Sequence, residues 1–192
     1  MEFHINTLFC AKTKLTIMAK ILILYSSTDG HTRKICLRLQ QIVEAQNNQV
    51  TLISVNDEGT IDLNSFGKIV IGASIRYGKH SNQIYEFIKE HQQILDCKSN
   101  AFFSVNVVAR KPEKNKPETN PYLQKFLKQI SWKPKRIAVF AGKIEYQKYK
   151  LGDRFMIRLI MWMTKGPTDP KTNIEFTNWS QVEDFGQVIC EM

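Results

Sequence analysis

Seven residues, Ser26-Ser27-Thr28-Asp29-Gly30-His31-Thr32, carry the densest run of chemistry-bearing side chains in the chain. The apolar run Ile21–Tyr25 precedes them directly. A helical pattern follows, with Ile35, Leu39, Ile42 and Val43 on one face. A strand, a short hydroxyl-rich turn and a helix in that order make a phosphate cradle. The helix start presents unpaired backbone N–H groups and the positive end of the helix dipole. Ser27, Thr28 and Thr32 add hydroxyl donors, and Gly30 admits a tight turn without a Cβ clash. His31 opens the helix. This chemistry suits a terminal phosphate monoester; the bland alternative is an ordinary capped strand-to-helix turn.

The spacing excludes other phosphate loops. A nucleoside-triphosphate loop needs two glycines around four residues, then Lys and Ser or Thr, and no Gly-Lys-Ser/Thr occurs here. A dinucleotide fingerprint needs three glycines, and only Gly30 is present. The order of apolar strand, Ser27, Gly30 and Thr32, with small Cys36 four residues on, resembles the flavodoxin signature. That resemblance implies FMN, held by its phosphate. Asp29 departs from it, because a carboxylate stands where a hydroxyl is usual and would repel phosphate. Its side chain is expected to turn away and cap the helix.

The elements that position the loop alternate along the chain. Strands are expected at Lys20–Tyr25, Gln49–Val55, Ile69–Ala73, Ala101–Val108 and Ile137–Ala141. Helices are expected from about His31 to Gln46, Ser81 to Leu95 and Ser180 to Ile189. This alternation predicts an α/β protein with a doubly wound, five-stranded parallel sheet. The flavodoxin-like order is 2-1-3-4-5, with the ligand crevice at the carboxyl ends of the strands. Two loops fall at that edge. One is Ser74-Ile75-Arg76-Tyr77-Gly78 and the other Ser104-Val105-Asn106, preceded by Phe102. On a flavodoxin-like fold they flank the flavin ring. Tyr77 offers a stacking face. Arg76 is expected to favour an anionic reduced flavin or a substrate carboxylate.

Strands four and five are separated by an insertion, about residues 109–135, that opens with the tract Arg110–Pro117 and ends with a helix. Two prolines and dense charge make the tract an irregular loop, and long loops in small domains are commonly functional. The charge is concentrated. Residues 110–158 hold 14 Lys and Arg against 4 Asp and Glu, and the remainder holds 13 against 14, so one segment carries the whole net charge of +9. A concentrated positive field attracts anionic partners. In Phe155–Met163, eight of nine residues are apolar, between Arg154 and Lys165. That run is too short to span a bilayer, which needs roughly 20 residues. It reads as an interfacial helix, with a buried core helix as the alternative.

Residues 1–18 read as an N-terminal extension outside the fold, and 19–192 as one domain. Met18-Ala19-Lys20 looks like an alternative start. Four scattered cysteines, Cys10, Cys36, Cys97 and Cys190, contain no Cys-x-x-Cys pair and fit a reducing compartment.

Three runs extend the resemblance beyond the loop. They are Ile71–Gly78, Ser104-Val105-Asn106-Val107-Val108-Ala109-Arg110-Lys111-Pro112-Glu113-Lys114 and Tyr149–Ile157. They resemble the bacterial quinone-dependent protoporphyrinogen oxidases, a flavodoxin-like family, over about residues 19–190. The resemblance implies oxidation of protoporphyrinogen IX to protoporphyrin IX in haem biosynthesis. FMN would be the cofactor, a membrane quinone (menaquinone or ubiquinone) the acceptor, and the cytoplasmic face of the inner membrane the peripheral site of action. Arg110, Lys111, Lys114, Arg154, Arg158 and Trp162 are the candidates for substrate or lipid contact. A cofactor that carries the redox step requires no side-chain nucleophile or metal, and neither constellation is visible. No catalytic side chain is named. His80 and His91 read as surface or helix residues. A homo-oligomer stays open.

Two other activities suit the same cradle: an NAD(P)H:quinone reductase and an electron-transfer flavodoxin. Carriers of this fold resemble one another in docking through acidic surfaces, which the basic segment opposes. A nucleic-acid module lacks support, because no aromatic residues interleave the basic tract.

Overall fold

Successive residues of each central strand point to opposite faces of the sheet, and here both faces are apolar. Leu22, Leu24, Ile69, Ile71 and Phe102 face one core, while Ile21, Ile23, Val70, Ala101 and Phe103 face the other. A strand buried on both sides must be covered on both sides, which is why helices follow the strands. The structure, a computed structural model, describes residues 18–57 and 61–192. The expected extension therefore lies almost wholly outside the described residues.

The sheet holds β1 (Lys20–Ser26), β2 (Gln49–Ser54), β3 (Lys68–Ser74), β4 (Ser99–Asn106) and β5 (Arg136–Ala141). All neighbours are parallel and the order is β2-β1-β3-β4-β5, as the sequence predicted. Helices α1 (His31–Glu44) and α6 (Trp179–Glu191) cover one face. Helices α2 (Asn82–Glu90), α3 (Gln92–Cys97) and α4 (Pro121–Gln129) cover the other. The single helix expected over 81–95 is two, because His91 leaves helical geometry at φ −106° and ψ 15°. Its ring packs 4.6 Å from Phe87 instead.

One backbone approach fixes residue choice in β3. A Cβ on Gly72 would lie 2.2 Å from Cζ of Phe103 on the neighbouring strand. The Phe103 ring thus occupies the space over β3 that a side chain would need.

Strand register sets the carboxyl edge. Ser26 stands beside Ala73, Ser74 beside Val105, and Asn106 beside Ala141. Four strand ends therefore finish nearly level, and the loops leaving them share one rim. The neighbours of β1 are β2 and β3, so the chain reverses its direction of winding there, where crevices form in such sheets.

The tract 109–135 contains two single 3-10 turns and α4. A larger addition lies between β5 and α6. It comprises β6 (Lys143–Glu145), α5 (Leu151–Met163) and β7 (Asn173–Glu175), with β6 and β7 antiparallel. Its own small core joins Ile144, Tyr146, Tyr149 and Met161. The apolar run seen in the sequence is α5, and it does not enter the sheet's cores. Phe155 is 71% exposed and Trp162 72%. Among the described residues no helix is long and apolar enough to cross a membrane.

Candidate active site

Gly30 caps α1 in the left-handed region at φ 81°, where a side chain would be strained. That turn aims the first N–H groups of α1 into the crevice beyond β1. Ser27 Oγ and Thr32 Oγ1 are buried there with no hydrogen-bond partner in the protein. A buried hydroxyl without a partner is costly, so two at one helix start mark a place for an acceptor-rich group. The donor set fits a phosphate monoester. Thr28, also expected there, is exposed and lines a neighbouring pocket with Ser26.

His31 is held from behind. Thr177 donates its hydroxyl to Ala141 O at 2.7 Å, so its oxygen accepts from His31 Nε2 at 2.6 Å. Burial lowers the His31 pKa, against the pull of Glu175. The Nε2–H form is therefore fixed by Thr177.

Asp29 does not cap the helix. Its carboxylate accepts from Arg76 Nη1 at 2.7 Å, because Arg76 crosses the rim from the next loop. The second Arg76 nitrogen donates to Asp153 at 2.6 Å, and the Tyr77 hydroxyl also donates to Asp153. The guanidinium lies 5.5 Å from the Tyr77 ring and 5.2 Å from the Tyr149 ring. Burial alone would depress the Arg76 pKa, but Asp29 and Asp153 outweigh it and the value rises. Burial raises the Asp29 pKa while Arg76 pulls it down. The net effect is a rise, and the carboxyl keeps its direct contact with the guanidinium. The Tyr77 and Arg76 contacts hold Asp153 below its usual value. Arg76 was expected to offer free charge to a ligand. It instead ties three pieces together: the phosphate-type loop, its own loop, and the first turn of α5.

Tyr77 and Gly78 sit at φ 50° and φ 78° between reciprocal backbone bonds joining Arg76 and Lys79. Both central residues at positive φ define a tight hairpin turn. The turn holds the Tyr77 ring, 50% exposed, at the mouth of the crevice.

Beneath these loops runs a buried polar chain. Asn120 caps α4 by accepting from Leu123 N, and its amide donates to Asn106 Oδ1 at 3.1 Å. Asn106 Oδ1 also accepts from Ala109 N. That cap turns Val107 and Val108 out of the strand expected for them. Asn106 Nδ2 donates to Ser104 Oγ at 3.3 Å, and Ser104 Oγ lies 3.0 Å from His80 Nε2. His80 is therefore no surface residue. It is 3% exposed, packed on Phe102 and Phe126, and burial drives its pKa down to about 3. Phe102, expected at the cofactor, is fully buried in that core. Ser104 is likewise buried and supports the rim from below.

The neutral state of His80 makes a stability prediction. An unfolded histidine binds a proton near pH 6.5, whereas folded His80 resists protonation down to about pH 3. Between those values the unfolded chain holds more protons, so stability falls as pH falls, by about 1.4 kcal/mol per unit from this group. Above pH 6.5 its contribution is constant. Urea unfolding across pH 7 to 5 should show that slope, and His80→Phe should lose it.

The crevice itself is a cleft of about 1010 Å³, its open part included. Ser27, Asp29, His31 and Thr32 line one end. Ser74, Ile75, Arg76, Tyr77 and Gly78 face Val105 and Asn106 across the middle. Ile157, Ile160 and Met161 of α5 form an apolar wall, a contribution that the sequence did not disclose. Lys143 and Lys148 stand at the rim, both paired with Glu145.

The expected contact residues behave differently. Arg110 points inward, donating to Val107 O, Thr164 O and Thr164 Oγ1. It anchors the far end of α5 and is not free for a ligand. Arg154 donates to Tyr146 O and Arg158 to Thr168 O through their Nε atoms. Lys111 and Lys114 are half-buried on the 3-10 turns, with no ion pair among the described residues.

A sheet of this order, with a donor-lined crevice at its switch point, invites comparison with known proteins. Residues 22–171 match the family model described as a flavodoxin domain. A flavodoxin 1 from Bacillus cereus superimposes with a TM-score of 0.52 at 13% identity, covering 90% of this chain and 98% of its own. An archaeal flavodoxin gives 0.50 at 17%, covering 90% and 96%. These two show the fold. In sequence, the chain is 42% identical over 173 residues to the Protoporphyrinogen IX dehydrogenase (quinone) of Escherichia coli strain K12, covering 90% of this chain and 96% of that protein. A Leishmania major protein of the same name is 40% identical over 167 residues, covering 86% and 72%. The chain belongs to the flavodoxin-domain family and, within it, to the family of these oxidoreductases.

Proposed function

We propose that this chain oxidises protoporphyrinogen IX to protoporphyrin IX in haem biosynthesis, with FMN as cofactor and a membrane quinone as acceptor. One observation carries the reading: a single cleft joins phosphate-type donors at one end to an apolar wall at the other, in a chain similar over nearly its full length to enzymes bearing that name. Six electrons and six hydrogens leave the porphyrinogen, and three quinones become three quinols. A bound FMN supplies reversible two-electron chemistry between the two.

The protein's own groups bind, orient and shield. Ser27, Thr32 and the α1 amides hold the phosphate. Arg76 restrains Asp29, so that its charge faces a guanidinium and not the phosphate. The 74–78 and 105–108 segments grip the ring system from two sides, and Tyr77 provides an aromatic face. Ile157, Ile160 and Met161 exclude water from the reacting edge and give an apolar tetrapyrrole or quinone a surface to lie on. Lys111, Lys114, Arg154 and Arg158 meet anionic groups at the outer rim. Stopped-flow mixing tests the donor. Flavin reduction by protoporphyrinogen, with none by NADPH, is expected; the reverse pattern would identify an NAD(P)H:quinone reductase.

The reading places the protein peripherally on the cytoplasmic face of the inner membrane. The exposed α5 side chains, with Arg154 and Arg158 on the same helix, support it: acyl chains take the apolar groups and acidic headgroups the basic ones. A Phe155→Ser, Trp162→Ser double variant should lose most of its cosedimentation with acidic-lipid vesicles. Both side chains are exposed, so FMN binding should persist.

A further inference from the structure

A smaller pocket of about 380 Å³, open part included, lies directly behind the Tyr77–Gly78 turn. Gly78 and Tyr122 line both it and the main cleft, so the two spaces adjoin. Its chemistry is one-sided. Lys79 and Lys125 stand on its walls, and neither makes an ion pair among the described residues. No acidic side chain lines it. Tyr85 donates its hydroxyl to Gln129 Oε1 at 2.9 Å, which leaves the Gln129 amide N–H groups available.

The base of the pocket is His80, whose Nδ1 is buried without a partner. Its tautomer follows from the polar chain below. Ala109 N–H fixes Asn106 Oδ1, so Asn106 Nδ2 must donate to Ser104 Oγ. The Ser104 hydroxyl hydrogen then has one partner within reach, His80 Nε2. With the Ser104 hydroxyl donating to it, His80 Nε2 accepts and Nδ1 carries the proton. The pocket thus gathers two ammonium groups and an amide N–H, with His80, whose Nδ1 has no protein partner, at its base. Such a set matches a carboxylate, which accepts only.

We propose that this side pocket takes one propionate carboxylate of the tetrapyrrole while the ring occupies the main cleft. The inference rests on the function proposed above and adds to it the site that fixes the orientation of the substrate. Lys79 and Lys125 attract the arm past Gly78 and Tyr122, which line both spaces, and the deeper donors complete its hydrogen bonds.

Lys79 and Lys125 are both exposed, so replacing them does not disturb the core. The test uses FMN-loaded full-length protein and two stable probes, protoporphyrin IX and its dimethyl ester, titrated by fluorescence. The Lys79→Met, Lys125→Met double variant should bind the free acid about tenfold more weakly, as loss of a charge-assisted pair implies. Binding of the ester, and of FMN itself, should match wild type. A His80→Phe variant, which removes the deep donor and keeps a ring, should weaken the acid and spare the ester in the same way. Equal loss for acid and ester, or no loss for either, would overturn the subsite. Wild-type protein that neither binds the free acid nor oxidises protoporphyrinogen would overturn the functional reading itself. Wild-type turnover with unchanged variants would overturn the subsite alone.

Discussion

Replacing Arg76 with methionine should weaken FMN binding about tenfold to thirtyfold, from the value of hydrogen bonds to charged groups discounted for their partial exposure. The side chain is 21% exposed, and its partners Asp29 and Asp153 are 37% and 29% exposed. Removing it leaves two carboxylates facing each other across the rim. Asp29, adjoining Gly30, would then present an unbalanced negative charge to a phosphate. The first turn of α5 would also lose its tie to the Tyr77 loop, so amide exchange over residues 151–156 should quicken. Adding Asp29→Asn to the variant should restore part of the affinity, because it removes one of the stranded charges. Arg76→Met binding FMN as wild type would show that Asp29 does not bear on the phosphate. Fluorescence titration of FMN measures each case.

The second large effect belongs to the two buried hydroxyls. A Ser27→Ala, Thr32→Val double variant should weaken FMN at least as much as Arg76→Met, since each lost bond to a phosphate is worth about 1.5–3 kcal/mol. Its stability without cofactor should stay level or rise, because two buried groups with no protein partner disappear. That opposed pair of outcomes separates a ligand-binding hydroxyl from a structural one. A double variant that unfolds more readily while binding FMN normally would place these hydroxyls in the scaffold. Riboflavin, which has no phosphate, should bind variant and wild type alike.

The sheet was legible because its strands are short apolar runs between turn residues, and periodicity alone locates such runs. Alternation with helices implied a parallel sheet, and the flavodoxin-like resemblance supplied the strand order and the position of the crevice. Local errors arose where one side chain overrode the pattern. Val107 and Val108 extend the apolar run of β4, yet the Asn106 side chain caps Ala109 N and ends the strand. Asp29 three residues before Thr32 reads as a helix cap. The structure gives that carboxylate to Arg76, 47 positions away, a pairing no local rule contains. His80 looks exposed between Lys79 and Ser81. Only tertiary packing on Phe102 and Phe126 buries it. Arg110 reads as ligand-facing within a basic tract, and its bonds to Thr164 appear only when α5 folds back across it.

The cleft was half legible. Its phosphate end is a contiguous motif, and the flanking loops lie at predictable strand ends. Its apolar wall comes from α5, in a unit joined to the sheet after β5. The sequence marked α5 as an apolar run between basic residues, an interfacial helix with a buried core helix as the alternative. It could not show that Ile157, Ile160 and Met161 turn toward the crevice while Phe155 and Trp162 turn out. One helix thus carries an apolar face on the crevice and exposed apolar side chains on its other side.

The central claim is tested most directly by anaerobic turnover. FMN-loaded protein, protoporphyrinogen IX and a quinone are mixed, and porphyrin fluorescence is followed. The account predicts a fluorescence rise that depends on both protein and quinone, with three quinols formed per porphyrin. Fluorescence no faster than the protein-free control, with or without quinone, would contradict it.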